Sequence, residues 1–195
     1  TDTYQFNTVN HLIADRLNPR YLWVAAANRG LARFDKQTHR FEVWPISGVS
    51  GKTGVSAMRL VQDEAGLIWI GTWSGGIASF DPRSAKMEIY PYDLTSYHQP
   101  NNYNRNVVQS LLLKDEHELW VGTEDNGFGT FDRKTGKFNF FKNEFSGESP
   151  ELDRVCQGLY VDLQKRLWVL GRQGGVRVFA PQQTTFRYVS LAAAA

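Results

Sequence analysis

A chain of 195 residues with 42% hydrophobic and 13% aromatic content is long enough for one substantial core and ordinary for a globular protein. Its 22 basic and 20 acidic residues leave a formal net charge of +2, and no block of like charge directs it to nucleic acid or an acidic membrane surface. A single cysteine, Cys156, excludes an internal disulfide framework and a cysteine-based metal site, and no apolar run approaches the length of a membrane span.

In chain order, the opening TDTYQF carries neither a signal peptide nor an initiator methionine. Tyr4 to Asn7 reads as the outer strand of a preceding unit. The first clear pattern is LWVAAANRGLARFD from Leu22, and it returns three times. IWIGTWSGGIASFD starts at Ile68, LWVGTEDNGFGTFD at Leu119 and LWVLGRQGGVRVFA at Leu167. Trp23, Trp69, Trp120 and Trp168 are therefore spaced by 46, 51 and 48 residues. Seven residues after each stands a glycine (Gly30, Gly76, Gly127, Gly175), and eleven after, a phenylalanine (Phe34, Phe80, Phe131, Phe179). Twelve after comes Asp35, Asp81 or Asp132, with Ala180 departing in the last copy.

Each copy predicts four short strands. In the third, Val107 to Asp115 is strand-like, followed by LWVGT, FGTF and KFNFF, with turns rich in Gly, Asn and Asp between them. Helical periodicity is absent almost everywhere. Tandem four-stranded antiparallel units of roughly 40–50 residues are the signature of all-β propeller blades. The blades are expected at about 8–46, 54–95, 106–145 and 153–190, with 1–7 a remnant strand and the closing alanines, 192–195, a cloning remnant. A closed four-bladed ring is one arrangement; the favoured one is an open arc of a larger propeller. In IWIGT the isoleucines should point one way and Trp69 the other, with Gly71 and Gly122 where neighbouring blades come close. Ala25 departs mildly at that position and Leu170 more strongly, so the fourth blade should pack differently there.

Several constellations read as structural. SGVSGKTG (Ser47 to Gly54) lacks the glycine a phosphate loop needs at position 46, which is Ile46, and no helix follows; it reads as a flexible connection. His11, His39, His98 and His117 show no metal-ligand spacing. Asp35, Asp81 and Asp132 each begin a turn, where a carboxylate fixes the backbone; Asp63, Asp115 and Asp162 read the same way. No nucleophile elbow is present. No catalytic residue, metal or cofactor is expected.

The pattern LWIGT-x-x-GG, followed by an aromatic and an aspartate or asparagine, resembles the two-component regulator propeller repeat, with IWIGTWSGGIASFDPRSAKM and LWVGTEDNGFGTFDRKTGKF the closest fits. The resemblance implies part of a periplasmic sensor domain of a hybrid two-component histidine kinase from gut Bacteroidetes, anchored in the inner membrane and responsive to carbohydrate. It implies transcription regulation by the parent protein, with the kinase domain outside this chain. It also implies that the rest of the propeller and a β-sandwich are partners.

Strand order places the turns between second and third strands, and the connections between blades, on one face. The longest connection, Tyr92 to Asn106, belongs there, and insertions on one face of a repeat protein often bind ligand. The candidate ligand residues are Trp73, Tyr97, His98, Asn102, Tyr103, Arg105, Glu124, Asp125 and Arg172, offering flat apolar rings, polar groups and cations for an oligosaccharide; alternatively the long connection merely joins blades or packs on another domain. Open blade ends predict self-association, with two arcs completing a ring as one form. No nucleic acid and no direct membrane contact are expected. The alternatives in function are a propeller enzyme, a lyase or glycan-active hydrolase, and a protein-interaction scaffold. Against the enzyme, Glu124 and Asp125 share one turn without an obvious counterpart.

Overall fold

In the computed structural model, the residues described are 8–48, 53–93, 106–141, 155–172, 176–179 and 187–189. All regular elements among them are strands, so no helix there is long and apolar enough to cross a membrane. The first sheet is β1 (Val9–Ala14), β2 (Tyr21–Ala26), β3 (Gly30–Asp35) and β4 (Arg40–Trp44). A two-stranded ribbon, β5 (Ile46–Ser47) with β6 (Thr53–Val55), leads to the second sheet of β7 (Ala57–Gln62), β8 (Ile68–Thr72), β9 (Ile77–Asp81) and β10 (Lys86–Tyr90). The third is β11 (Val108–Leu113), β12 (Glu118–Thr123), β13 (Phe128–Asp132) and β14 (Phe138–Phe140). The fourth is β15 (Cys156–Val161), β16 (Leu167–Gly171), β17 (Val176–Phe179) and β18 (Arg187–Val189).

Every sheet is antiparallel and follows chain order. The first strands β1, β7, β11 and β15 lie side by side in succession, so they are innermost and the sheets radiate from them as propeller blades. Of the connection Ser47 to Gly54, the ends pair as Ser47 with Thr53, next to Ile46 with Val55, and residues 49–52 lie outside the described residues; Ile46 is fully buried in the first inter-sheet core. The remnant strand Tyr4 to Asn7 and the closing alanines lie outside the described residues.

Three hydrophobic clusters fill the three interfaces between consecutive sheets. Ile68 and Ile70 point to the first sheet and Trp69 to the third, as the alternation of a strand buried on both faces requires. The tryptophan of one repeat meets the phenylalanine of the next across each interface. Trp23 meets Phe80 at 5.9 Å, Trp69 meets Phe131 at 5.6 Å and Trp120 meets Phe179 at 6.3 Å, all edge to face. This is the geometry aromatic quadrupoles favour, worth about 0.5–1.5 kcal/mol per pair beyond area burial. Three indole N–H groups are satisfied by a carboxylate at the end of the preceding strand: Trp23 by Asp15 at 2.9 Å, Trp69 by Asp63 at 3.0 Å and Trp168 by Asp162 at 2.8 Å. In the third sheet Lys114 takes that place, with its ammonium 5.3 Å from the Trp120 ring centroid.

Two residues after each tryptophan, the second strand touches the next first strand. A Cβ on Gly71 would lie 2.8 Å from Val108 Cγ1, and one on Gly122 only 2.6 Å from Cys156 Sγ. Ala57 holds the register position of Val108 and Cys156, and it shares a core with Ala25. The seat thus holds alanine with alanine, or glycine with a larger partner. Leu170, at the same position in the fourth sheet, is 41% exposed beside Tyr160 and Leu163 on a face that no described sheet covers.

The turn carboxylates act as expected. Asp35 accepts the backbone N–H groups of Gln37 and Thr38, and Asp132 those of Lys134 and Thr135. The Arg83 backbone N–H, with the Arg83 and Ser84 side chains, holds the Asp81 carboxyl below its ordinary value. Hydrogen bonds from the Thr135 backbone N–H and side chain do the same for Asp132. Burial opposes the charge of Asp162, yet hydrogen bonds from Trp168 and Arg166 bring its carboxyl down to about 2.

Two outcomes follow. Gly122→Ala costs about 1–3 kcal/mol by overpacking, and adding Cys156→Ala returns part of it; urea midpoints of the single and double variants measure this. Because these carboxyls titrate lower in the folded chain, their stabilisation is complete above about pH 5 and is lost as pH falls from about 4 toward 2. The melting temperature should drop over that window, and Asp162→Asn should both lower it at pH 7 and flatten the drop.

Candidate functional site

The turns between second and third strands meet the inter-sheet connections on one face, here called the upper face. Backbone bonds tie these tips to the connections beside them, the one entering the same sheet for Trp73 and Glu124 and the one leaving it for Gly76. Trp73 N donates to Ser56 O at 2.9 Å, Gly76 N to Asn106 O at 2.7 Å and Glu124 N to Val107 O at 3.1 Å. Gly30, Gly76 and Gly127 make these tips by taking positive φ, at 80°, 76° and 69°.

Of the expected ligand residues, Trp73, Glu124, Asp125 and Arg172 are described. Tyr97, His98, Asn102, Tyr103 and Arg105 lie outside the described residues. Trp73 is 36% exposed at the tip of the second sheet. Glu124 and Asp125 sit at the tip of the third sheet, and Arg172 at that of the fourth. The structure brings the last three together, with the Trp73 tip joined to them through the neighbouring residues Asn106 and Val107.

Internal partners hold the charged groups. Glu124 accepts Nε2 of Gln109 at 2.9 Å and pairs with Arg172, whose side chain is half exposed while that of Glu124 is only 10% exposed. Asp125 accepts the hydroxyl of Tyr92. Burial, and then this hydrogen bond, push the Tyr92 phenol far above its ordinary pKa, so it stays a donor. The Tyr92 ring packs edge on against Phe138 at 5.6 Å and Phe140 at 5.4 Å. A ligand recognised by Glu124 or Arg172 therefore has to share or displace an existing pair.

Asn106 and Tyr92, the two ends of the long connection, are the residues that sequence reasoning treated only as boundaries. Asn106 is fully buried with φ of 62°. Its Oδ1 accepts the backbone N–H groups of Tyr92 at 2.7 Å and Asp93 at 2.8 Å, and its Nδ2 donates to Asp93 O at 2.8 Å. One side chain thus fastens both ends of residues 94–105 to the upper face. The signal was available: asparagine tolerates left-handed backbone and mimics a turn.

On the opposite face a cleft of about 670 Å³ opens between the second and third sheets, lined by Asp63, Lys114, Asp115, His117 and Arg133 among others. Its main charges are also paired within the protein. Arg133 donates to Asp63 at 3.0 Å and to the Asp115 carbonyl at 2.9 Å, and Lys114 pairs with Glu118. Cys156 is buried against Gly122, and burial pushes its thiol up to about 12, so it is inert as a nucleophile.

No family model matches the chain, and neither does any curated protein. Solved structures do match. The extracellular domain of the hybrid two-component system BT4673 from B. thetaiotaomicron aligns with 88% of the chain at a TM-score of 0.66 and 20% identity. That of BT3049, from the same organism, aligns with 94% at 0.57 and 14% identity. The WD40 repeats of RRP9 align with 94% at 0.65 and 14% identity. The chain spans 21%, 28% and 51% of these three chains respectively. At these identities the likeness establishes the fold, that of β-propeller repeats. Two of the three neighbours are the sensor domains that the repeat pattern led one to expect.

The Asn106 clamp has a measurable consequence. Asn106→Ala removes the acceptor that the half-buried Tyr92 and Asp93 N–H groups share and should cost about 1–3 kcal/mol, read as a lower urea midpoint than that of the parent chain.

Proposed function

We propose that this chain is part of the periplasmic, carbohydrate-sensing propeller of a membrane-anchored hybrid two-component sensor. The observation that carries the reading is the propeller likeness over nearly the whole chain to extracellular domains of two such systems, joined to a repeat pattern that points the same way. The kinase, the transcription control and the membrane anchor belong to the parent protein. The chain itself is not an enzyme in this reading. Glu124 and Asp125 have Arg172, Gln109 and Tyr92 as partners, an arrangement that positions a turn rather than a pair of acid and base groups.

The upper face is the ligand face in this reading. Trp73 offers a ring for the CH groups of a sugar, and Tyr97, His98, Asn102, Tyr103 and Arg105 belong to the connection that Asn106 fastens there. Ligand binding would favour one arrangement of propeller and membrane-proximal domains, and that bias would be passed to the kinase.

Titration of neutral oligosaccharides, followed by tryptophan fluorescence and calorimetry, tests this. At least one is expected to bind, with affinity falling tenfold or more in Trp73→Ala or Tyr103→Ala. A panel that binds nowhere, or binding unchanged in both variants, removes the upper face as the sensing site. A parent reading frame without a membrane helix and a kinase core overturns the sensor assignment.

A further inference from the structure

The four first strands leave an open cleft along the axis of the arc. Its volume is about 620 Å³, within the usual range for small-molecule sites, and β1, β7, β11 and β15 all line it. Much of the wall is aliphatic. The polar lining groups are His11, Arg16, Arg59, Gln62, Ser110 and Tyr160, and no aspartate or glutamate lines the cleft.

The two arginines are set apart by their partners. Six arginines elsewhere in the described structure bind carboxylates. Arg59 instead donates Nη1 to the carbonyl oxygens of Asn10 and Met58, each at 3.2 Å. Arg16 donates Nη1 to the carbonyl of Gln62 at 3.1 Å. Neither has a carboxylate partner among the described residues. Two guanidinium groups over an aliphatic wall, without a counter-charge, form a site that favours an anion, and the planar fork suits a carboxylate.

The register strengthens the case. His11 stands opposite Ala25, Arg59 opposite Gly71, Ser110 opposite Gly122 and Gly158 opposite Leu170, each beside the bulge of its first strand. In the first three sheets the second-strand residue is uniformly small because packing demands it. The first-strand residue is different in every sheet. His11 and Ser110 each accept a backbone N–H from the next first strand, from Leu60 at 3.2 Å and Leu159 at 3.0 Å. Arg59 breaks that structural habit and brings a cation instead. Burial and the Arg59 charge push His11 below its ordinary pKa, so its ring is neutral at pH 7 and accepts the Leu60 N–H without adding charge.

We propose that the axial cleft binds a small carboxylate-bearing ligand, with Arg59 and Arg16 receiving the carboxylate and the aliphatic wall taking its carbon frame. The inference stands on the cleft's own charge and not on the sensor reading. The carboxylate can come from a sugar acid or from a non-sugar acid, and the test separates them.

Calorimetric titration of the 195-residue chain with glucuronate, glutarate and glucose is the experiment. Binding of one or both carboxylates, with none for glucose, is expected. Arg59→Gln and Arg16→Gln should each weaken it at least tenfold, and Arg83→Gln should leave it unchanged. Glucuronate alone identifies a sugar acid; glutarate alone identifies a non-sugar acid. Melting curves confirm that each variant is folded, and Arg16→Gln carries the test if Arg59→Gln is not. Binding of neither carboxylate, equal binding of glucose, or carboxylate binding indifferent to both arginines overturns the proposal. Neutral oligosaccharide binding at the upper face would survive that result, so the two readings fail separately.

Discussion

Each second strand approaches the next first strand so closely that only a small pair of residues fits between them. Everything else in the arc depends on that seat. Gly71 against Val108 and Gly122 against Cys156 bring the sheets near enough for the tryptophan of one to reach the phenylalanine of the next. The first interface solves the same volume with two alanines, Ala25 and Ala57, and keeps the aromatic contact. Close packing of this kind penalises any added methyl group, since interiors leave few voids to absorb one. The spacing also places the first strands around a common axis, and so creates the axial cleft.

Much of the fold was legible because the repeat is written in residue types with opposed physical demands. Tryptophan needs burial and a partner for its N–H, glycine marks a turn or a close approach, and aspartate fixes the next turn. Their recurrence at fixed offsets defined the strands, and Ile68, Trp69 and Ile70 took the predicted faces. What recurrence alone does not reveal is which repeats touch. Trp69 and Phe80 lie in one motif, yet each is paired with a different neighbouring sheet. The Asp63 and Asp162 carboxylates looked like turn residues only. They also hold an indole N–H, a contact that requires knowing how the tryptophan lies.

The candidate site was less legible for a physical reason. Function in a repeat protein sits where the repeat varies, and variation has no period to detect. Glu124, Asp125 and Arg172 stand out in the sequence only because the repeat varies at their positions. The structure adds that Gln109 and Tyr92 hold the two acids, and that Glu124 and Arg172 hold one another. Asn106 was treated as the end of a loop because a clamp of this kind depends on contacts 13 and 14 residues away. Arg59 is not distinguished in the sequence because a strand residue facing the axis looks the same as one facing solvent, and Arg16 stands just past the end of β1 without a motif around it.

Leu170 makes the exposed face of the fourth sheet unlike the faces buried inside the arc. On the fourth sheet Trp168 is only partly buried, as is Phe34 of the first sheet, so the aromatic halves of another interface are both present. The seat beside them does not match. A second copy stacked in the register used inside the chain would set Leu170 against Val9, which holds the register position of Val108 and Cys156. Leucine with valine fills a space that elsewhere holds glycine with valine. A sheet stacked there in the same register would meet a bulkier seat than any inside the described sheets.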